Sequence, residues 1–488
     1  MRSKNNYNKR HYRNKNRRRR KKGSPFLLFL SVVSLWLLYH TNPPWLSQIH
    51  THLTYDNVIS FINHFSFRVN SLKSLTQEFI TEINEPIIIG DVDNLNANRF
   101  KQLDEDALKV QYSGTSVREL ANLLSQYATT DEEKARIIYT WITHNIAYDV
   151  VALSTFMNQN IYPDVTVNAV LTTRQTICSG YANLYQQLAQ EMGLKSVIVI
   201  GYAKGVDYAV GDDQNVNHAW NAVQIDSKWF LLDSTWGAGT ISNNRFEKSF
   251  NPAYFATNPE YFIYTHFPEN SKWQLLPNPY TRAMFDSLPT VSHHLFSSNI
   301  ELVSHTSKEI FADGIVSISL KAPQNIVAIA TLQQEGNNVE GEYTFVQRQG
   351  EFIQIKVAIP DRKNYQLNIF AKPQDDSNNY PFVVGYEVTT NRPVNTQFPL
   401  TFSHFSTNNG YIESPLTKQL TPNQRVNFRL RVDNATEVKV LDKKSNRWTT
   451  LIRYGNLYTG NVDVSGGEII VYGKFPQHRE LWGLMKYN

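Results

Sequence analysis

Cys178 is the single cysteine of the 488-residue chain, and the stretch around it, TICSGYANLYQQLAQEMG (176–193), begins a helix at that residue. A sulfur in that position meets backbone N–H groups with no intrahelical partner and the positive end of the helix dipole. Both favour negative charge on it. The Cys178 amide itself offers one donor for an oxyanion, and Gln175 is a candidate for the second on proximity alone. A thiol nucleophile also needs a base and a group that orients the base. HAWNAVQI (218–225) and KWFLLDSTW (228–236) read as two strands joined by an Asp226-Ser227 turn. A two-residue turn sets residue 218 opposite 235, which makes His218 and Asp233 diagonal neighbours on one face. Asp233 would fix the imidazole tautomer while His218 faces the thiol.

Each of these residues has a plainer reading. A cysteine alone is more often a small buried hydrophobe, a strand histidine a satisfied polar residue, and an aspartate before Ser-Thr a turn residue. Cys178, His218 and Asp233 outweigh those readings only as a set, in which each supplies what the others lack. Trp220, Trp229 and Trp236 read as packing around the site, with a substrate-groove wall as the other possibility.

The surrounding elements are legible from their periods. From Tyr181, apolar residues recur at Leu184, Tyr185, Leu188, Ala189 and Met192, one helical stripe that Gly193 terminates. Upstream, SVRELANLLSQYA (116–128) and TDEEKARIIYTWITHNIA (130–147) predict amphipathic helices, opened by capping boxes at Ser116/Glu119 and Thr130/Glu133. The period then changes to two: KSVIVIGYA (195–203) predicts a buried strand. From about 290 onward, short alternating runs such as GIVSISLKAP, FIQIKVAIP and NYQLNIFAKP predict a β-sandwich. NTQFPLTF (396–402 and the residue before it) opens a further β-rich unit.

Three separated segments carry a resemblance. Cys178, Gly180, Tyr181 and Ala182; then His218, Ala219, Trp220 and Asn221; then Trp229, Asp233, Thr235 and Trp236 stand in an order and spacing similar to the transglutaminase-like family of papain-like cysteine enzymes. The β-rich tail further resembles the kyphoscoliosis-peptidase-like and cytokinesis-associated branch, which carries Ig-like modules after the core. The resemblance implies an α+β fold, a papain-like transglutaminase-like core followed by an all-β Ig-like sandwich region. It also implies thiol-dependent acyl transfer on peptide or protein amides through Cys178, His218 and Asp233, with a thioester intermediate. Ser179 follows the nucleophile where calcium-dependent animal cross-linkers have Trp, and no dense acidic loop for calcium is present. Both departures lean toward a hydrolase of the peptidase type. A glutamine–lysine cross-linker is one alternative; an inactive envelope scaffold or binding module is another.

Composition sets the remaining bounds. One cysteine excludes an internal disulfide framework and a CxxC zinc site. There is no P-loop, no GxGxxG after a strand and no HExxH, so no cofactor and no metal is implied. Residues 1–22 hold twelve Lys/Arg and no Asp or Glu; removing those twelve from the net +5 leaves the rest of the chain at −7. Nucleic acid is therefore not an expected partner of the globular part.

The basic run stands directly before PFLLFLSVVSLWLLY (25–39), the layout of a signal anchor or signal sequence. This predicts a basic cytoplasmic tail (1–22), a transmembrane anchor (25–40) and an extracytoplasmic bulk, with a protein or cell-envelope partner for the β-domains. Further expectations are a helical stalk or packing region (41–110), the transglutaminase-like domain (111–285), an Ig-like sandwich (290–395) and a second β-rich domain (396–488). His293-His294 reads as a boundary linker, and DNAT (433–436) fits a glycosylation sequon.

Overall fold

The computed structural model describes residues 88–90, 97–205 and 216–488. In the α-helical part, α1 (Lys101–Lys109), α2 (Val117–Leu124) and α3 (Asp131–Asn145) precede the short strand β1 (Ala147–Tyr148). Thr130 and Glu133 form the predicted capping box at α3. At α2 only the Ser116 half forms; the Ser116 amide bonds the Tyr112 hydroxyl, and that hydroxyl also meets Glu119. The structure departs from the expected amphipathic α3: Ala135 to Thr143 are all buried, so this helix is enclosed on every side. α1 packs on it, and Asp104 of α1 takes two 2.8 Å hydrogen bonds from the buried guanidinium of Arg136.

Next come α4 (Val150–Gln159), α5 (Val167–Thr173), the two-residue β2 (Gln175–Thr176) and α6 (Cys178–Glu191). The α6 stripe is buried as predicted, with Tyr181, Leu184, Tyr185, Leu188 and Ala189 in the core. Its two phenols keep their hydroxyls satisfied, Tyr181 on the Ile146 carbonyl and Tyr185 on that of Ala135.

A four-stranded antiparallel sheet packs on α6. β3 (Ser196–Ala203), β4 (His218–Ile225), β5 (Lys228–Leu232) and β6 (His266–Pro268) lie in the order β5-β4-β3-β6. Asp226 and Ser227, at φ 48° and 66°, make the predicted two-residue hairpin turn with both residues left-handed. The register pairs Asn221 with Leu232 and Ile225 with Lys228. One expectation changes: β5 ends at Leu232, and Ser234–Ala238 form a short helix, α7, where a continuous strand was read. Asp233 causes the change, because its side chain accepts the Thr235 and Trp236 amides and caps the turn.

The remainder is all β apart from short helical turns. One sandwich pairs the sheet 301–302/315–321/352–358/344–349 with the sheet 309–313/382–392/365–373/326–334/337–338. Another pairs 400–401/481–487/469–474/437–442/447–450 with 411–414/424–431/457–464/452–454. Their apolar faces join in one core from Val291 to Tyr487. His293 and His294 open one of the short helices, His293–Ser297. The fold class is therefore of the kind expected, an α+β core followed by an all-β sandwich region.

The basic tail (1–22), the anchor (25–40) and most of the stalk (41–110) lie outside the described residues. The membrane localisation expected from them is corrected: among the described residues no helix is long and apolar enough to cross a membrane.

Candidate active site

The structure brings Cys178, His218 and Asp233 together. Cys178 is the first residue of α6 and is half-buried. Ile177 before it gives no side-chain cap, and its carbonyl takes the Gly180 amide at 2.9 Å, which leaves the Cys178 and Ser179 amides without a side-chain cap. Gly180 is what lets this turn sit down on β2, because a Cβ there would stand 1.9 Å from Thr176 Oγ1. Gln175, the oxyanion candidate, lies on the exposed side of β2.

His218 is the first residue of β4. Three residues along, the buried Asn221 amide donates to the Ala182 carbonyl of α6 (3.1 Å) and to the Val197 carbonyl of β3 (3.3 Å). That side chain pins the strand carrying the imidazole to the helix carrying the thiol. His218 Nε2 donates to Asp233 Oδ2 at 2.8 Å. The ring is flanked by Trp220, stacked at 27° with centroids 5.9 Å apart, and by Trp236, also at 5.9 Å. The Cys178 side chain hydrogen-bonds the same ring and helps to raise its proton affinity. With Nε2 committed to Asp233, Nδ1 is the nitrogen left for the sulfur.

A residue that sequence reasoning missed completes the group. His266, on β6, donates its Nε2–H to Asp233 Oδ2 at 3.0 Å, while its Nδ1 meets the Thr265 hydroxyl at 2.8 Å. β6 pairs with β3 through Ala203 and His266, which places the second imidazole at the Asp233 carboxylate. The local signal for it, His-Phe-Pro opening a short strand, is weak in a single sequence. Phe262 stacks on the ring at 4.0 Å and 15°, and Trp236 lies at 4.6 Å.

Asp233 is fully buried yet saturated. Oδ1 accepts the Thr235 and Trp236 amides at 2.7 and 3.1 Å, and Oδ2 accepts the two imidazoles. Burial raises the cost of its charge, but the charge and hydrogen bonds of His218 and the bond from His266 outweigh it and hold the carboxyl well below the usual range. Burial likewise opposes charge on His218, yet Asp233 and the Cys178 sulfur push it up to about 10. His266 goes the other way: burial lowers it to about 4 despite Asp233. The two rings on one oxygen are thus electrostatically distinct, an imidazolium facing the thiol and a neutral imidazole behind the carboxylate.

His218, Asp233 and His266 each offer a ligand atom within 4.8 Å of the others, a spacing a metal ion could use. The 2.8 and 3.0 Å separations are N–H···O distances, however, so protons bridge these atoms. Trp229 packs edge-on against Trp273 in a separate apolar cluster, which agrees with a packing role for it.

Known proteins give the group a context. Residues 118–234 match the transglutaminase-like superfamily, and residues 282–401 match the KY-like, immunoglobulin-like domain. The chain is 25% identical to kyphoscoliosis peptidase of Homo sapiens over 496 residues, covering 76% of this chain and 74% of that one. It is 30% identical to Lim and transglutaminase domain protein ltd-1 of Caenorhabditis elegans over 244 residues, covering 46% and 33%. It is 26% identical to cytokinesis protein 3 of Schizosaccharomyces pombe over 255 residues, covering 50% and 28%. The chain thus joins a segment that matches the transglutaminase-like superfamily, residues 118–234, to one that matches the KY-like, immunoglobulin-like domain, residues 282–401.

Proposed function

We propose that this protein is a cysteine-dependent acyl-transfer enzyme acting on peptide or protein amides, with Cys178 as nucleophile, His218 as general acid and base, and Asp233 orienting His218. The observation that carries the reading is His218 itself, held by Asp233 on one ring nitrogen and acted on by the Cys178 sulfur at the other. The sulfur attacks the amide carbonyl and the Cys178 amide donates to the developing oxyanion. The C–N bond breaks as imidazolium His218 gives its proton to the leaving amine, which leaves a thioester on Cys178 and a neutral ring. His218 then takes a proton from water as the hydroxide adds to the thioester; the C–S bond breaks, the carboxylic acid is released and ionises in solvent, and Cys178 is returned as a thiolate beside imidazolium His218. Ser179, not Trp, after the nucleophile favours water over an amine as the acceptor. His266 serves as a positioning residue through Asp233.

Labelling the full chain with an electrophilic amide analogue tests the reading. Labelling is expected on Cys178, lost in Cys178→Ala and lost in His218→Ala. Equal labelling of His218→Ala would remove the assigned base and leave a scaffold with an ordinary thiol. A glutamine peptide offered with a primary amine tests the acceptor: release of the carboxylate product supports hydrolysis, and amine incorporation supports the cross-linker.

A further inference from the structure

α4 is an anomaly in this fold. Its sequence VVALSTFMNQ is largely apolar and uncharged, yet none of its ten residues is buried. The neighbouring α3 buries nine residues in a row. Along α4 and the turn after it, Val151 is 76% exposed, Met157 58%, Ile161 56% and Tyr162 39%. No charged residue occurs from 150 to 163. Four large apolar side chains are exposed within twelve residues, a density that points to a binding surface.

The location gives the patch its meaning. The segment leaves the active site and returns to it. Before α4, β1 pairs with β2 through Tyr148 and Thr176, and the Asp149 amide bonds the Thr176 carbonyl at 2.9 Å. After α4, the Tyr162 hydroxyl meets Ser179 Oγ at 3.1 Å. The Val165 carbonyl then accepts from Asn183 of α6 at 3.0 Å. The two anchors fall on either side of Cys178 in sequence, at Thr176 and Ser179. Phe156 of α4 packs edge-on against Tyr162, 5.1 Å between centroids, which carries the apolar face down to the anchored tyrosine. The exposed segment is therefore tied to the chain on either side of Cys178, at Thr176 and at Ser179.

We infer that α4 and the 160–162 turn are the wall on which the acyl-donor polypeptide lays apolar side chains, so that the preferred substrate is a protein segment with aliphatic or aromatic residues flanking the amide. Any amide whose carbonyl reaches Cys178 brings its neighbouring residues against this uncharged surface. Acidic or basic flanking residues would lose solvation there and find no counter-charge. This rests on the acyl-transfer reading and names the substrate class that it leaves open.

Matched peptides carrying one chloroacetamide, flanked by Leu and Phe, by Asp, or by Lys, test the inference on the full chain, with iodoacetamide as the reagent that needs no recognition. The apolar peptide is expected to modify Cys178 about tenfold or more faster than either charged one. Met157→Asp and Ile161→Asp, at exposed positions that should not disturb folding, are expected to abolish most of that preference, read as the ratio of apolar to charged peptide rates within each variant. Equal rates for the three peptides, with the iodoacetamide rate still dependent on His218, would overturn this inference alone. An iodoacetamide rate indifferent to His218→Ala would overturn the acyl-transfer reading and this inference with it. Self-association abolished by the two variants, with peptide preference unmoved, would assign the face to a second copy of the chain and also overturn it.

Discussion

His266 donates its Nε2–H to the Asp233 oxygen that already accepts from His218, at 3.0 Å against 2.8 Å. The pairing accounts for how a carboxylate with no solvent exposure stays charged. Two backbone amides satisfy one oxygen and two imidazoles the other, and a buried charge is tolerated when its lone pairs are filled. His266 is therefore part of what keeps Asp233 anionic, and an anionic Asp233 is what holds a proton on His218.

Removing that donor has a defined consequence. His266→Phe leaves Asp233 one hydrogen bond short and is expected to cost about 1–3 kcal/mol of core stability. His266→Asn, which keeps an N–H donor, should recover part of it. The pH dependence separates a positioning role from packing. His266 binds its proton near 4 when folded and near 6.5 in the ordinary range, so the unfolded chain binds more protons between those values. Stability should rise with pH across that window in the wild type, and His266→Phe should flatten the rise. Urea unfolding followed by tryptophan fluorescence from pH 4 to 7 measures both effects; an unchanged slope in the variant would contradict them.

His218 has the opposite sign. Its folded proton affinity lies near 10, above the ordinary value of about 6.5, so the folded chain binds more protons in between. Its contribution is fully present below about 6.5 and is lost as pH rises through about 10. Stability should decline across that range in the wild type and decline less in His218→Gln. Turnover that needs His218 as an acid should fall over the alkaline part of the same range.

Gly180 gives a packing test. Gly180→Ala puts a methyl 1.9 Å from Thr176 Oγ1 and forces the first turn of α6 off β2. We expect a loss of about 1–3 kcal/mol and slower labelling of Cys178. Thr176→Ala removes the hydroxyl and Cγ2 but leaves Cβ at 2.8 Å from the added methyl, so the double variant should recover only in part. A double-mutant cycle on stability reads the coupling; additive losses would contradict the contact.

Asn221→Ala tests whether strand and helix are tied together. The change removes the bonds to the Ala182 and Val197 carbonyls in a buried setting and is expected to cost about 1–3 kcal/mol. It should also slow Cys178 labelling with His218 intact. A stability loss without slower labelling would make Asn221 a core residue with no part in positioning.

Elements set by local pattern were legible in the sequence. The α6 stripe, the Thr130 capping box and the Asp226-Ser227 turn follow from spacing within a few residues, and the turn fixes the strand register that joins His218 to Asp233. Elements that depend on distant pairing were not. His266 reaches Asp233 only because β6 pairs with β3, a contact invisible to periodicity. The short helix α7 was hidden because Asp-Ser-Thr-Trp reads equally as a strand end and as a cap. α4 escaped because an apolar run without burial carries no helical stripe to read. The basic and apolar N-terminal layout reads as an export signal but lies outside the described residues, among which no helix is long and apolar enough to cross a membrane.

The central claim is the charge state of His218 between the thiol and Asp233. Histidine-selective nitrogen NMR, with the His218 signal assigned through His218→Gln, measures it directly. The expected result is an imidazolium at neutral pH whose titration lies toward 10 in the wild type and moves lower in Cys178→Ala. A ring that is neutral at pH 7 and titrates identically with and without the Cys178 sulfur would contradict the account.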